Sequence, residues 1–110
     1  MTKPLPKSKR ERFRYILFGA VTGLQEREVV YFVMRHLTSN LDQSVKMIRF
    51  RGGYGIVRVA RRTAIEARSA LEATVETPQG SIALRPILTS GTLLALKKRS
   101  SHAVEALRRG

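Results

Sequence analysis

Arg51-Gly52-Gly53-Tyr54-Gly55-Ile56-Val57-Arg58-Val59-Ala60-Arg61-Arg62 constrains the fold of this chain more than any other segment. It reads as a tight glycine turn feeding a buried strand. Side chains alternate across a strand, so Arg58 falls opposite Val57 and Val59, on the side of Tyr54 and Ile56. A strand that hides valines on one face and shows an aromatic and an arginine on the other suits nucleic-acid binding better than enzyme chemistry.

The rest of the chain supplies partners for that strand. Arg12 to Val21 is a strand candidate whose continuous run Tyr15-Ile16-Leu17-Phe18 suits a strand covered on both faces. Thr22, with Gln25 three residues on, signals a helix start. Glu26 and Glu28 then favour its positive end, and Val30, Val33, Met34, Leu37 and Leu41 form its stripe. Val29 and Phe32 lie off that stripe. With the exposed face of Ile56, they are the expected contact with a protein partner. Val45 to Phe50 is a second strand and Tyr54 to Arg61 the third. Thr63 with Glu66 opens a second helix, with Ala64, Ala67, Leu71 and Val75 on one stripe. Thr77-Pro78-Gln79-Gly80 is a turn. Ser81 to Leu88 is a fourth strand, which Pro86 assigns to a sheet edge. Thr89-Ser90-Gly91-Thr92 opens a last helix. The order predicts an α+β, ferredoxin-like or RNA-recognition-motif-like split β-α-β sandwich (βαββαβ) with an added C-terminal helix. Residues 1–11 read as a flexible basic arm, and 12–110 as a single α/β sandwich domain.

At 110 residues the chain has room for one modest core, and its 43% hydrophobic content argues that it folds. Twenty-one Lys and Arg against 8 acidic residues give a formal charge of +13. Such an imbalance repels itself unless a polyanion accepts it. An anionic membrane is the poorest candidate, because no long amphipathic basic helix with an aromatic face is present, so RNA or DNA is expected. The apolar run Tyr15 to Ala20 after a basic stretch looks superficially like a secretory signal, but it is short and serves better as a central strand. The absence of cysteine excludes disulfides and thiolate metal sites and fits a cytoplasmic location.

The expected polyanion contacts are Lys7, Lys9, Arg10, Arg12 and Arg14 of the arm and first strand; Arg51, Tyr54, Arg58, Arg61 and Arg62 around the third strand; and Arg85, Lys97, Lys98 and Arg99. Ser90, Gly91 and Thr92, at a helix start, offer either a phosphate seat or a plain helix cap. Around the turn, Gly53, Tyr54, Gly55 and Val57 match the central octamer of an RNA recognition motif. Ile56 and Val59 stand where that octamer has aromatics, leaving Tyr54 as the single stacking ring. Catalysis is poorly supported. His36 and His102 are isolated, Asp42 is the only aspartate, and neither paired acids nor a nucleophile elbow is present. No metal site and no catalytic residue is expected.

Three segments together resemble ribonuclease P protein component 2, the archaeal counterpart of the eukaryotic Pop-five subunit. They are Leu5-Pro6 with Arg10 and Arg14-Tyr15-Ile16-Leu17-Phe18; Gly55-Ile56-Val57-Arg58-Val59 through Arg61 to Glu66-Ala67-Arg68-Ser69-Ala70-Leu71; and Leu84-Arg85, then Ser90-Gly91-Thr92 into Leu96-Lys97-Lys98-Arg99. The resemblance implies an RNA-recognition-like sandwich in the ribonucleoprotein that trims the 5′ leader from precursor tRNA. There the RNA subunit cleaves, using Mg²⁺, and the protein binds no cofactor and is not catalytic alone. The implied partners are ribonuclease P RNA and the TIM-barrel-like protein component 3. The family's RNA-facing character maps onto the arm, Arg58, Arg61 and residues Ser90 to Arg99. Family members carry a longer, glycine-containing connection after the first helix, a stretch that self-association or partner contact would use. Here Ser39-Asn40-Leu41-Asp42-Gln43 is brief. A general RNA-binding module of the same fold, such as a ribosome-associated protein, is the alternative.

Overall fold

The computed structural model describes residues 12–41 and 45–99. Its elements are β1 (Phe13–Val21), α1 (Glu26–Asn40), β2 (Lys46–Arg51), β3 (Tyr54–Ala60), a 3-10 turn (Arg61–Thr63), α2 (Ala64–Ala70), β4 (Thr74–Thr77) and β5 (Gly80–Ser90). A further helix, α3, occupies residues 93–99. One antiparallel sheet runs β2-β3-β1-β5-β4. The run β2-β3-β1-β5 has the ferredoxin-like order, in which each β-α-β unit leaves a gap that a strand of the other unit fills. The fold is the expected α+β sandwich with one strand more than the sequence suggested.

That extra strand is β4. Leu71 and Val75 are four apart and continue a helical stripe on paper, but α2 stops at Ala70 and Val75 lies in β4. Thr77-Pro78-Gln79-Gly80 does turn the chain, but it joins two strands. The Thr77 hydroxyl donates to Gly80 O (2.6 Å) and accepts from Gln79 N (3.1 Å). β5 is therefore an inner strand. Pro86 lies beyond the last β4 pair, Thr74↔Ala83, beside the register shift at Leu17/Phe18. A residue without an N–H is tolerated at such an irregularity.

Neither predicted capping box forms. α1 begins at Glu26 behind Gln25, with no side-chain cap. The Thr22 hydroxyl instead accepts from Leu24 N (3.2 Å) and donates to Ser81 O (2.8 Å), tying the loop to β5. Thr63 does stand at the N-cap of α2, yet its hydroxyl donates back to Ala60 O (3.0 Å).

Both sheet faces are covered. Beneath one, Ile16, Phe18, Val57, Val59, Ile82 and Leu84 meet Val29, Val33, Leu37 and Leu41 of the first helical segment and Ala67 and Leu71 of the second. On the other, Leu17 and Ile56 meet Leu96 of α3, with Tyr15, Ile48, Tyr54, Ile87, Leu88 and Leu93 around them. Burying a Leu of this kind contributes on the order of 2 kcal/mol, so Leu96, fully buried, anchors α3 to the sheet. Among the described residues no helix is long and apolar enough to cross a membrane.

Candidate nucleic-acid interface

Directly paired residues of antiparallel strands share a sheet face. In the β2-β3 ladder Lys46 pairs with Arg58, Arg49 with Ile56 and Arg51 with Tyr54. Across β1, Arg58 pairs with Tyr15, Ile56 with Leu17 and Tyr54 with Gly19. On the far side Gly19 pairs with Arg85. Lys46, Arg49, Arg51, Arg58 and Arg85 therefore share the face covered by α3. Three further exposed cations, Lys97, Lys98 and Arg99, lie on that helix.

The carboxylates are distributed differently. Glu26 and Glu28 belong to α1, Glu66 to α2, and Glu72 follows it, interspersed with Arg27, Arg35 and Arg68. On the α3 side of the strands, Glu76 is the one acidic residue described, and its Oε2 accepts from the Ser81 hydroxyl at 3.0 Å. Among the described residues, five sheet cations and three helix cations thus face two carboxylates, Glu76 and, at the hairpin turn beside Arg51, Glu26, whose Oε1 accepts from Gly52 N (2.9 Å). A surface so sorted carries a potential that draws polyanions.

The bulge between Met47 and Arg49 completes the sorting. Strict alternation from Arg51 through Arg49 would send Lys46 to the other face. The extra residue, Ile48, turns inward beside Leu17 and Ile56 and resets the register, so Lys46 lies opposite Arg58. Lys46 and Arg49 were not among the sequence-predicted contacts. The Gly52-Gly53 turn predicts Arg49's side by counting back from Tyr54, whereas the bulge that places Lys46 leaves no such signature.

The Arg58 guanidinium carbon lies 4.2 Å from the centroid of the Phe13 ring, which fixes the direction of the cation. At the same end of the sheet, Arg61 N donates to Arg12 O (2.8 Å). Arg14 donates to Phe13 O (3.2 Å) and reaches the Gly91 turn. Arg61 and Arg62 are exposed in the 3-10 turn. Arg12, Arg14, Arg58 and Arg61 thus lie at one end of the sheet, with Arg62 beside them in the chain; Arg14, paired with Val59, starts from the α1 side, and Arg58, paired with Tyr15, from the α3 side. Lys7, Lys9 and Arg10 lie outside the described residues.

Ser90, Gly91 and Thr92 serve as a cap. The Ser90 hydroxyl accepts from Thr92 N (3.4 Å) and the Thr92 hydroxyl from Ala95 N (3.2 Å), so two N–H groups of the helix start are already used. Ser90 is itself 8% exposed. The expected partner face also changes. Val29 is 1% exposed within the core, because the inward stripe of α1 starts one residue earlier than its apolar pattern suggested. Ile56 is 7% exposed because α3 covers it. Phe32 is half-buried, with Tyr31 edge-on at 5.1 Å. His36 holds Ala70 O through Nε2 (2.8 Å) and joins α1 to the end of α2, a structural role. Among the described residues no group of His, Cys, Asp and Glu is arranged to hold a metal ion.

No family model matches the chain. By sequence it is 29% identical to the ribonuclease P protein component 2 of Methanoculleus marisnigri, over 88% of this chain and 66% of that protein. It therefore spans just under two thirds of its relative's length, and the resemblance read from its residues is borne out. By structure it is similar to a chain in the cryo-EM structure of yeast ribonuclease MRP. That likeness has a TM-score of 0.61, covers 94% of this chain and 100% of the other, and shows 10% identity. At that identity it establishes a common fold.

Proposed function

We propose that this chain is a protein subunit of ribonuclease P that binds and stabilises the catalytic RNA during removal of the 5′ leader from precursor tRNA. The observation that carries this reading is the sorting of Lys46, Arg49, Arg51, Arg58 and Arg85 onto one sheet face beneath the cations of α3. The apolar centre of that face is filled by the chain's own Leu96, so contact with RNA falls to the charged rim. A rim of this kind reads backbone shape and charge, as a scaffold for a folded RNA does. Similarity to a component 2 protein supports the same reading.

The chemistry is electrostatic. Folding a catalytic RNA brings phosphates together, and protein cations screen that repulsion and release condensed counterions. Less Mg²⁺ is then needed to reach the active RNA fold, while bond cleavage stays with the RNA and its Mg²⁺. In this reading the partners are ribonuclease P RNA and the TIM-barrel-like component 3.

The test is reconstitution with ribonuclease P RNA at varied Mg²⁺. The chain should lower the Mg²⁺ needed for precursor-tRNA cleavage, and Arg58→Ala or the triple change of Lys97, Lys98 and Arg99 to Ala should weaken RNA binding and its salt dependence. Equal binding by wild type and variants at several salt concentrations would refute the proposal. A pull-down that recovers ribosomal RNA in place of ribonuclease P RNA would favour a general RNA-binding module.

A further inference from the structure

Four strands contribute one residue each to a single row across the α3 side of the sheet. Arg51 pairs with Tyr54, Tyr54 with Gly19, and Gly19 with Arg85. The row reads cation, aromatic, gap, cation. Because Gly19 has no side chain, a cleft of about 440 Å³ opens over it, walled by Tyr54, Ile87, Val21 and Arg85. Its volume lies within the roughly 300–1,000 Å³ usual for small-ligand clefts. A Cβ added at Gly19 would sit 3.8 Å from Tyr54 Cε1 and 3.7 Å from Ile87 Cδ1. The ring and the Ile87 side chain therefore flank the gap at ordinary contact distance without closing it.

Arg51 and Arg85 are both exposed. Val21, at the cleft mouth, is 79% exposed and adds an apolar lip. A flat apolar body between an aromatic wall and a guanidinium, with cations on either side, matches an unpaired nucleotide. Its base would stack on Tyr54, and its flanking phosphates would meet Arg51 and Arg85. Stacking of this kind tolerates any base, because every base has a π face. The positive rim favours RNA over an apolar side chain of a protein.

We propose that the Arg51–Tyr54–Gly19–Arg85 row is a subsite for one unpaired, flipped-out nucleotide. This rests on the RNA-binding reading above and adds a single-strand preference that a charged rim alone would not give. The experiment uses the full chain and two fluorescein-labelled probes: a 12-nucleotide oligo-adenylate RNA, and a blunt RNA duplex. A copy of the single strand carrying one 2-aminopurine reports stacking. Gly19→Val fills the gap. Tyr54→Leu removes the ring and Tyr54→Phe keeps it, with circular dichroism confirming folded chains.

Gly19→Val and Tyr54→Leu should each weaken single-strand binding on the order of 10-fold, within the range known for loss of one stacked base. Both should abolish the 2-aminopurine quench and leave duplex binding within 2-fold. Tyr54→Phe should bind as wild type, and Arg85→Gln should lower the salt slope by roughly 0.7, one phosphate's share for a single strand. If Gly19→Val and Tyr54→Leu bind both probes as wild type does, the subsite is wrong while RNA binding stands. Should wild type bind neither probe, both readings fall. If Gly19→Val misfolds, the Tyr54→Leu and Tyr54→Phe pair decides alone.

Discussion

Gly55 shows what a single residue controls here. The sequence reads it as part of an octamer tied to RNA binding, but its role in the fold is spatial. A Cβ there would lie 2.6 Å from Phe18 Cε1 and 2.8 Å from Phe50 Cδ2, closer than side chains approach. The two rings, with centroids 6.1 Å apart, lean over the bare backbone of β3. Gly55→Ala should therefore destabilise the chain by about 1–3 kcal/mol through overpacking. Urea denaturation would measure it, and an unchanged midpoint would mean that the rings move aside freely. Gly52 and Gly53 are a different case. Their φ values of 60° and 83° make the primed turn that a two-residue hairpin needs, and that requirement was plain from the sequence. The turn is held further by Glu26 Oε1, which accepts from Gly52 N at 2.9 Å. Backbone demands announce themselves in a glycine pair, whereas a tertiary clash depends on rings that are distant in the chain.

At the scale of elements, periodicity worked where segments were long. β1, α1, β3 and β5 were legible within a few residues because each carries several turns or alternations of pattern. The six residues of β2 were also legible to within one position, but the shortest strand, β4, was not. The four residues of β4 hold one inward apolar side chain, Val75, which fits a helical stripe or a strand equally well. The capping boxes failed because α1 starts four residues past Thr22, at Glu26, and because the Thr63 hydroxyl turns back to Ala60 O. The helix most exposed to test is α3, which holds the sheet through Leu96 and Leu93 while Leu94 is left 66% exposed. Leu96→Ala should cost about 2–5 kcal/mol by emptying its site. It should also loosen residues 93–99 ahead of the core. Amide hydrogen exchange would then rise first in that segment. If exchange rises uniformly along the chain, α3 is part of one cooperative unit with the rest. If stability does not change, the packing of α3 is wrong.

For the whole molecule, the decisive property is where charge lies relative to the sheet. Net charge alone raises the expectation of a polyanion partner, but a total cannot say whether the cations gather. The register does, and it assigns Lys46 and Arg49 to the α3 side, with the bulge at Ile48 supplying the step that alternation lacks. Arg27 and Arg35 lie on α1 among carboxylates, and Arg35 also donates to the Tyr31 hydroxyl at 3.2 Å. Two double variants with the same change in net charge therefore separate position from amount. Lys46→Ala with Arg49→Ala should weaken binding to ribonuclease P RNA at least 10-fold at moderate salt. It should also flatten the log–log salt dependence by about 1.5, since each lost phosphate contact removes roughly 0.7–0.9. Arg27→Ala with Arg35→Ala should leave the slope within experimental error and shift affinity only slightly, because charges beyond a Debye length of about 10 Å are largely screened. Filter binding across a salt series measures both. Equal losses from the two variants would mean that the RNA responds to total charge and that the sorted face has no role in binding. A loss confined to the first pair would tie the interface to a charge pattern that the hairpin bulge creates.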